Sequence, residues 1–470
     1  MELGSLRAAF AGRLLSDEQD TAPFLTDWRR KWTGRALAVA QPDTAEDVAK
    51  VLRWCSDSKV NAVPQGGNTG LSGGATPDES GRTVVISLAR LNRVRNIDVV
   101  NNTIEVEAGA TLLQVQEAAR AAERLFPLSL AAQGTCTIGG NLATNAGGVQ
   151  VLRFGNAREL CLGVEVATAQ GELWDGKRGL RKDNTGYDLK DLFIGSEGTL
   201  GVITSAVLKL FPLPAAQVAA FVAVRNLELA VELLQISQRR LGAALTAFEV
   251  VSHECMELVR KHSSRARNPL CEQSPWYVLL EISDQESEAH AMSALEQLLG
   301  ESLERGLATD AAVSASLAQF AALWALREDV SESQAVEGPT IKHDISLPIS
   351  RIPEFVEFMD STIAHKFPGV RLVCFGHLGD GNLHYNVSPG EAYVGQDGLD
   401  AFRALEAPIN QAVHDAVAMR GGSISAEHGL GVLRRDESAR FKSNLELRMM
   451  RAIKSALDPQ GLMNPGKVIA

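Results

Sequence analysis

Two short segments that are far richer in glycine than packing requires constrain this chain most. Residues 64–74 read PQGGNTGLSGG and residues 138–148 read IGGNLATNAGG, so both mix glycine with asparagine and threonine. Glycines let backbone N–H groups converge on an anion without a Cβ in the way, and Asn and Thr side chains add donors. One such segment alone would favour a tight turn. Two of them, the first directly after a predicted strand, predict a site for the phosphates of a nucleotide.

The motifs that are missing narrow the class of nucleotide site. The chain contains neither G-x-G-x-x-G nor G-x-x-x-x-G-K-[ST], so neither a Rossmann dinucleotide loop nor a kinase-type phosphate loop is supported. Residues 70–74 (GLSGG) fit the G-x-S-x-G pattern of hydrolases, but that pattern requires a helix immediately after the serine. Ala75, Thr76 and Pro77 follow instead, so Ser72 is not expected to be a nucleophile.

The composition is that of a folded protein with more than one domain. A length of 470 residues with 45% hydrophobic residues predicts two or three domains with sizeable cores. The net charge of −11, without a dense basic block, argues against nucleic acid and anionic membranes as partners. No run of about 18 apolar residues and no apolar signal segment occurs, so we expect a cytoplasmic protein without a transmembrane segment.

The cysteines carry no pairing or metal signature. They are scattered without a C-x-x-C pair, which argues against a disulfide scaffold and against an iron–sulfur cluster held by this chain alone. We expect reduced and mostly buried thiols at Cys55, Cys136, Cys161, Cys255, Cys271 and Cys374.

Apolar periodicity predicts an α/β or α+β beginning and an α+β continuation. Strands at 37–39, 60–63, 84–88 and 104–107 combine with a helix that a capping box at 43–46 opens. A β-branched run over 195–210 ends at Pro212 and Pro214, where we place the domain boundary. Beyond it, strands at 245–251, 276–282, 341–347 and 370–387 and helices at 286–303 and 317–333 predict an antiparallel sheet with helices. One amphipathic helix over 439–457 closes the chain.

The densest chemical signal is FGHLGDGNLHYNV at residues 375–387. Its central G-D-G must turn, so Asn382, His384 and Asn386 project from one face of a strand while His377 approaches from the other arm. Two imidazoles can then converge on one metal, and the segment SAEHGLG at 425–431 offers a carboxylate and a further imidazole. Two histidines and a glutamate with open positions are typical of a catalytic zinc-type site. The spacing also allows a pair that only makes hydrogen bonds.

The remaining candidate groups have an ordinary interpretation when each is taken alone. Arg327 and Lys342 would face solvent, although Lys342 stands in a strand-like run where a charge points either to water or into a site. We expect ordinary core or surface roles for His253, His262, His290, His365 and His414.

Together these segments resemble the flavin-dependent D-2-hydroxyacid dehydrogenases of the vanillyl-alcohol oxidase superfamily, and most closely the members that oxidise D-2-hydroxyglutarate. The resemblance runs nearly from end to end of the chain. Besides the two glycine-rich segments and the histidine block, it includes NTGYDL at 184–189, GSEGTLG at 195–201, residues 425–431 and MNPGK at 463–467.

The resemblance implies an α+β protein with a vanillyl-alcohol-oxidase-type FAD-binding domain over 1–212. A substrate-binding cap domain with an antiparallel sheet would follow over 213–420, and a short helical segment over 421–470 would complete the active site. FAD is expected to bind non-covalently, because Asn68 stands where some relatives carry a flavin-linking His or Cys. The residues expected at FAD are Pro64, Gly66, Gly67, Asn68, Thr69, Gly70, Leu71, Gly134, Thr135, Gly139, Gly140, Asn141, Thr144, Asn145, Gly147, Gly148, Glu197, Gly198, Gly201, Ile203 and Asn464.

The resemblance also assigns the metal and substrate contacts. It makes His377, His384 and Glu427 ligands of a divalent metal, with zinc expected and manganese or cobalt as alternatives. It also implies that Arg327 and Lys342 contact the substrate and do not face solvent, because the family places substrate contacts at these positions. Ser331 departs from the threonine of the animal enzyme but keeps a hydroxyl. The expected substrate contacts are Arg327, Ser331, Lys342, Asn386 and His428.

The implied reaction oxidises D-2-hydroxyglutarate, and also D-malate, to the 2-oxo acid. His428 would take the hydroxyl proton as the catalytic base, the C2 hydride would pass to flavin N5, and Arg327 and Lys342 would neutralise a dicarboxylate. The expected electron acceptor is a separate electron-transfer flavoprotein or quinone-linked carrier, and a homodimer is the expected assembly.

Three other interpretations remain open from the sequence. A D-lactate dehydrogenase or the flavin subunit of a glycolate oxidase would share the loops and the histidine motif. A metal-dependent hydrolase would use the glycine segments only as turns and would purify colourless. A non-catalytic metal- or nucleotide-binding module would lose only binding when His384 is changed.

Overall fold

In the computed structural model, which describes residues 3–469, the chain forms two compact units. Unit 1 contains residues 3–148, Phe154–Leu213 and 427–469, and unit 2 contains Val149–Arg153 and Pro214–Ala426. The chain therefore passes from unit 1 to unit 2 between Leu213 and Pro214.

Unit 1 is built on one mixed and one antiparallel sheet. The mixed sheet has the order β1-β2-β4-β3, in which β2, β4 and β3 run parallel and β1 is antiparallel. The antiparallel sheet has the order β5-β6-β10-β8-β9, and β7 pairs with β11. The strands are Gly12–Leu15 (β1), Ala38–Pro42 (β2), Asn61–Gln65 (β3), Thr83–Ser87 (β4), Val94–Asp98 (β5), Thr103–Glu107 (β6), Arg124–Leu125 (β7), Cys161–Thr168 (β8), Leu173–Asp175 (β9), Gly201–Lys209 (β10) and Phe211–Pro212 (β11).

Helices cover these sheets because their apolar faces pack onto the strands. In the helix Ala45–Ser58, buried Val48, Val51, Leu52 and Cys55 recur at helical spacing and join the core with β2 and β4. The unit 1 helices are Leu3–Ala9, Glu18–Thr21, Ala45–Ser58, Leu112–Ala121, Ile138–Ala143, Ala157–Leu160, Lys190–Phe193, Arg435–Phe441 and Asn444–Leu457, and Val151–Phe154 spans a boundary between the units.

The end of the chain pairs with the edge strand β3. Ala62 donates its backbone N–H to Leu462, and Asn464 donates its own to Ala62. This pairing covers the edge of the mixed sheet and brings Asn464 next to the segment that follows β3.

Unit 2 is a seven-stranded antiparallel sheet with helices, in the order β15-β12-β14-β13-β17-β18-β16. Its strands are Ala216–Val224 (β12), Leu245–Ser252 (β13), Trp276–Asp284 (β14), Asp310–Val313 (β15), Asp344–Ser346 (β16), Val370–His377 (β17) and Asn382–Pro389 (β18). Its helices are Leu227–Leu241, His253–His262, Glu288–Glu304, Leu317–Glu328, Val330–Val336, Ile352–Lys366, Gly395–Arg403 and Glu406–Met419. The antiparallel sheets and mixed helix content confirm the predicted α+β class.

Four predicted element boundaries in the two units are wrong. Thr44, not Asp43, caps the helix Ala45–Ser58 and accepts the Asp47 N–H at 3.1 Å. The run over 195–210 becomes a strand only at Gly201, because Gly195 and Gly198 take positive φ values and turn the chain. The helix predicted over 317–333 divides at Asp329. Lys342 lies before the short strand β16 and not in a strand.

The closing helix is also divided. Ser443 is extended, and it forms a capping box with Glu446, which starts a new helix at Asn444. The helix predicted over 439–457 therefore consists of the end of Arg435–Phe441 and the whole of Asn444–Leu457.

All of the cysteines except Cys271 are buried, as expected, and none is in a disulfide. Among residues 3–469, no helix has the length and apolar character needed to cross a membrane.

Candidate active site

Unit 1 contains a cleft lined by both glycine-rich segments. The first segment follows β3, and the second contains the helix Ile138–Ala143, which Thr137 precedes as N-cap. A third wall comes from the turn before β10 and from the start of that strand. The empty volume is about 930 Å³, part of it open to solvent.

Close backbone approach explains why glycines stand at two positions in this cleft. A Cβ at Gly67 would lie 1.9 Å from the carbonyl oxygen of Thr135, and one at Gly66 would lie 2.3 Å from Thr137 Oγ1. The first glycine-rich segment therefore contacts the residues just before the second one at positions where a side chain would separate them. Gly70 differs, because a Cβ there would meet no atom within 4 Å.

The cleft also presents a polar atom that the protein leaves without a partner. Within residues 3–469, the buried Thr137 Oγ1 has no hydrogen-bond partner, and Thr137 lines the cleft. An orphaned buried hydroxyl is costly unless a ligand satisfies it. Asn68, in the same cleft, has a left-handed backbone with φ +51°. Its side chain is held by a hydrogen bond from Nδ2 to the carbonyl oxygen of Thr26 at 2.9 Å. This wall fits a bound polar ligand.

Glu197 joins the cleft to the loop that follows His428. Its carboxylate accepts the backbone N–H groups of Leu430 at 2.7 Å and Gly431 at 2.9 Å. Burial raises the pKa of this carboxyl group, and the two backbone hydrogen bonds oppose that shift. Asn464 Nδ2 donates to the carbonyl oxygens of Glu197 and Gly74 at 2.7 and 2.8 Å, so the end of the chain fixes the same wall.

Many of the residues predicted to contact FAD line this cleft. They are Pro64, Gly66, Gly67, Asn68, Thr69, Gly70, Gly139, Gly140, Asn141, Thr144, Glu197, Gly198, Gly201 and Ile203. The predicted residues that are not among those lining it are Leu71, Gly134, Thr135, Asn145, Gly147, Gly148 and Asn464. Two of these still shape it, through the Thr135 carbonyl beside Gly67 and the Asn464 side chain.

Sequence reasoning missed several lining residues. Most of them stand inside or beside one of the motifs found in the sequence, and this closeness to a motif could have identified them. Leu88 has no motif near it. Ser72 also lines the cleft, and its hydroxyl donates to the carbonyl oxygens of His428 and Gly429 at 3.3 and 3.2 Å. The missed residues are Gln65, Ser72, Gly74, Ala75, Leu88, Cys136, Thr137, Ala143, Phe193, Ser196 and Val202, and His428 lines this cleft too.

Unit 2 brings the two motif histidines together on a β-hairpin. Strands β17 and β18 pair Phe375 with His384 and His377 with Asn382. The rings of His377 and His384 have centroids 5.6 Å apart and lie nearly perpendicular to each other. His377 is buried and His384 is half-buried, so two imidazoles share one face of the sheet, as the alternation of the motif predicted.

A buried glutamate that the sequence did not single out lies behind His377. Glu249 on β13 is fully buried, and its Oε1 lies 2.7 Å from His377 Nδ1. Its other oxygen accepts Arg327 Nε at 2.8 Å, and the Arg327 guanidinium lies 4.7 Å from the centroid of the Phe375 ring. No motif surrounds Glu249, and a glutamate within an apolar strand was the only available signal.

The predicted substrate contacts fall in different environments. Arg327 is buried on the helix Leu317–Glu328, against the interpretation that it faces solvent. Ser331 and Lys342 are both exposed. Asn386 is buried, accepts the backbone N–H of His343 at 3.1 Å and donates to Gln334 Oε1 at 3.0 Å.

Two acidic residues lie near the hairpin. Asp344 on β16 pairs in register with His384 and accepts Asn382 Nδ2 at 3.0 Å. Burial raises the pKa of Asp380, in the turn of the hairpin, to about 6. The backbone N–H of Ala426 donates to the Asp344 carbonyl at 3.2 Å, and Glu427 and His428 follow Ala426 directly in the chain.

Comparison with known proteins identifies relatives over nearly the whole length. Residues 36–176 match the FAD binding domain family, and residues 213–468 match the C-terminal domain of FAD linked oxidases. D-2-hydroxyglutarate dehydrogenase of Xanthomonas citri pv. viticola is 39% identical over 464 residues, which covers 98% of this chain and 95% of that protein. The mitochondrial D-2-hydroxyglutarate dehydrogenase of Bos taurus is 37% identical over 470 residues, covering 100% of this chain and 83% of that protein.

Solved structures show the fold at lower identity. p-Cresol methylhydroxylase superposes with a TM-score of 0.74 at 16% identity, covering 97% of this chain and 94% of that one. Alkyldihydroxyacetonephosphate synthase superposes with a TM-score of 0.72 at 16% identity, covering 98% and 83%. The two family matches and this likeness of fold together confirm the predicted vanillyl-alcohol-oxidase-type arrangement of an FAD-binding domain followed by an α+β domain.

Proposed function

Because this chain belongs to the FAD-linked oxidases, and within them to the D-2-hydroxyglutarate dehydrogenases, we propose that it oxidises D-2-hydroxyglutarate to the 2-oxo acid with FAD and a divalent metal. The single observation that carries the proposal is the buried chain of contacts from Arg327 through Glu249 to His377. A buried cation and a histidine pair on one sheet face suit an anionic substrate that also needs its hydroxyl activated.

The glycine-lined cleft of unit 1 is the proposed FAD site. Gly66, Gly67 and Gly140 let the backbone approach a pyrophosphate, and Thr137 Oγ1 supplies a hydroxyl that the protein itself leaves unpartnered. Asn68 offers no covalent attachment point for the flavin, so binding is non-covalent. A flavin held there would supply the hydride acceptor for the oxidation at substrate C2.

His377, His384 and Glu427 are the proposed metal ligands. The two imidazoles that share one sheet face support this assignment. Glu427 supports it as well, because the residue before it, Ala426, donates a backbone hydrogen bond to Asp344, the residue that pairs with His384. Two imidazoles and a carboxylate suit zinc, with manganese and cobalt as alternatives. A bound metal would acidify the substrate hydroxyl and orient it.

The chain's own cations and polar groups then select the substrate. Arg327 binds one carboxylate through its terminal guanidinium nitrogens, while Lys342, an exposed residue between two buried ones, neutralises the second. Ser331 and Asn386 add hydrogen bonds, and two cations favour a dicarboxylate such as D-2-hydroxyglutarate or D-malate. His428 accepts the hydroxyl proton as general base.

The reduced enzyme must then be reoxidised by another molecule. We propose a separate electron carrier, either an electron-transfer flavoprotein or a quinone-linked protein, and a homodimer as the assembly.

The decisive experiment is the visible spectrum of the purified protein under anaerobic conditions. An oxidised flavin band should bleach on addition of D-2-hydroxyglutarate, and also of D-malate, while L-2-hydroxyglutarate leaves it unchanged. Bleaching only with D-lactate or glycolate would assign the chain to a neighbouring branch. A protein without a flavin band after FAD supplementation would overturn the proposal.

The metal requirement has its own measurement. Dialysis against a chelator should abolish bleaching while FAD stays bound, and added zinc should restore it. Unchanged bleaching in protein shown by elemental analysis to be metal-free would remove the metal from the proposal.

A further inference from the structure

Glu249 is placed to act on two parts of the site at once. We propose that Glu249 is a positioning residue that fixes the metal-facing nitrogen of His377 and the substrate-facing nitrogens of Arg327 through one carboxylate. This inference rests on the proposed function, because it takes His377 as a metal ligand and Arg327 as a substrate contact.

The contact with His377 sets the tautomer of the imidazole. A carboxylate only accepts hydrogen bonds, so the 2.7 Å contact requires that His377 Nδ1 carries the proton and donates to Oε1. Nε2 is then the nitrogen with a lone pair for a metal. Ligating histidines commonly donate their other ring nitrogen to a carboxylate in this way, which orients the ring and increases its basicity.

The contact with Arg327 leaves the correct end of the guanidinium available. Glu249 Oε2 accepts Nε at 2.8 Å, so Nη1 and Nη2 remain as the pair that can face a second carboxylate side by side. The guanidinium also lies on the Phe375 ring, 4.7 Å from its centroid, which limits its rotation. Glu249 and Phe375 together hold Arg327 in one orientation.

Only a carboxylate can make both contacts. Each oxygen of Glu249 accepts from a different donor, whereas a glutamine has one oxygen and one NH₂ group. In Glu249→Gln, the NH₂ group must face either the His377 N–H or the Arg327 N–H, and that contact is lost. Glu249→Asp keeps two acceptors, but a side chain shorter by one methylene draws both oxygens back from the His377 and Arg327 donors.

The neighbouring strand provides a matched control. Glu281 on β14 is also buried in the same sheet, but its oxygen accepts from neutral groups, Thr246 Oγ1 at 3.0 Å and Gln217 Nε2 at 3.2 Å. Glu281→Gln therefore removes a buried carboxyl group of the same size without touching His377 or Arg327.

The test measures zinc affinity and substrate kinetics on the FAD-loaded protein. Each variant is stripped of metal, checked for FAD content and thermal midpoint, and titrated with zinc against a chromophoric chelator. Glu249→Gln should weaken zinc binding about 10- to 100-fold. At saturating zinc, its KM for D-2-hydroxyglutarate should rise about tenfold with a smaller change in kcat. Glu281→Gln should match the wild type in both constants.

Glu249→Asp keeps the test decisive if Glu249→Gln does not fold. It should shift the zinc dissociation constant or KM about tenfold, because the retracted carboxylate weakens these contacts. A folded Glu249 variant with wild-type zinc affinity and wild-type KM overturns the inference alone. Wild-type protein that neither binds zinc nor bleaches with D-2-hydroxyglutarate overturns the proposed function, and the inference with it.

Discussion

Glu197 Oε1 accepts the backbone N–H of Leu430 at 2.7 Å. The other oxygen of the same carboxylate accepts the N–H of Gly431, so Glu197 holds the loop that begins just after His428. Because both Glu197 and His428 line the glycine-rich cleft, the proposed FAD site and the position of the proposed base depend on one side chain.

Glu197→Gln should therefore weaken both the fold of this loop and FAD binding. An amide has a single acceptor oxygen, so one of two backbone donors loses its partner at a cost of about 1–3 kcal/mol. The free energy of unfolding and the FAD dissociation constant, followed by flavin fluorescence on dilution, should both change. The exposed Glu172→Gln serves as the control, and equal FAD affinity in the two variants would contradict this role of Glu197.

Two glycines of the same segment should respond very differently to one added methyl group. Gly67→Ala places a Cβ against the Thr135 carbonyl, a backbone atom that cannot move without displacing its strand or turn, whereas Gly70→Ala projects into open space. We expect Gly67→Ala to destabilise the FAD-free protein by about 3 kcal/mol, and Gly70→Ala by less than about 0.5 kcal/mol. Comparable urea unfolding midpoints for the two variants would show that Gly67 does not pack against Thr135 as described.

The lowered pKa of Glu337 predicts how the stability of unit 2 changes at low pH. Burial opposes its charge, but hydrogen bonds from His262, Lys261 and Arg371 lower its pKa from the usual 4.5 to about 2. A carboxyl group with a lowered folded-state pKa stabilises the fold above pH 4.5 and loses that contribution as the pH falls towards 2. With partly exposed partners, the contribution is about 1–2 kcal/mol.

Glu337→Gln should therefore lower the thermal midpoint at pH 7, and the difference from the wild type should shrink as the pH falls towards 2. The exposed Glu328→Gln should show no such trend. A difference between Glu337→Gln and wild type that stays constant from pH 7 to pH 3 would refute the shifted pKa.

The sequence was most informative where local chemistry alone determines structure. Glycine clusters must turn and admit close backbone approach, so 64–74 and 138–148 could be recognised as segments of one site, and residues of both line the same cleft. The alternation of Asn382, His384 and Asn386 fixes a shared strand face in any antiparallel hairpin. Both features depend on neighbours within a few residues.

Features that depend on distant packing could not be predicted in this way. Glu249 is separated from Arg327 by 78 residues and from His377 by 128, and nothing in its own strand indicates which donors it meets. The division of the closing helix is a different case, because its signal is local. The capping box of Ser443 marks the start of a new helix, but the apolar spacing that continues from Phe441 to Leu445 favoured one unbroken helix in the sequence-based prediction. Helix periodicity does not detect a two-residue break when the apolar stripe continues in phase on its far side.

The two proposed cations should separate dicarboxylate from monocarboxylate substrates. If Lys342 neutralises the distal carboxylate, Lys342→Met removes a charge-assisted hydrogen bond that D-lactate cannot form. Such a bond is worth about 1.5–3 kcal/mol, so kcat/KM for D-2-hydroxyglutarate should fall about 10- to 150-fold. With D-lactate the loss should stay below about threefold, and the exposed Lys366→Met should leave both substrates unaffected. Arg327→Lys should impair both substrates, because the carboxylate next to C2 is common to them and a lysine cannot keep the Nε contact with Glu249. If Lys342→Met lowered kcat/KM equally for both substrates, Lys342 would not bind the second carboxylate. The preference for a dicarboxylate would then need another origin.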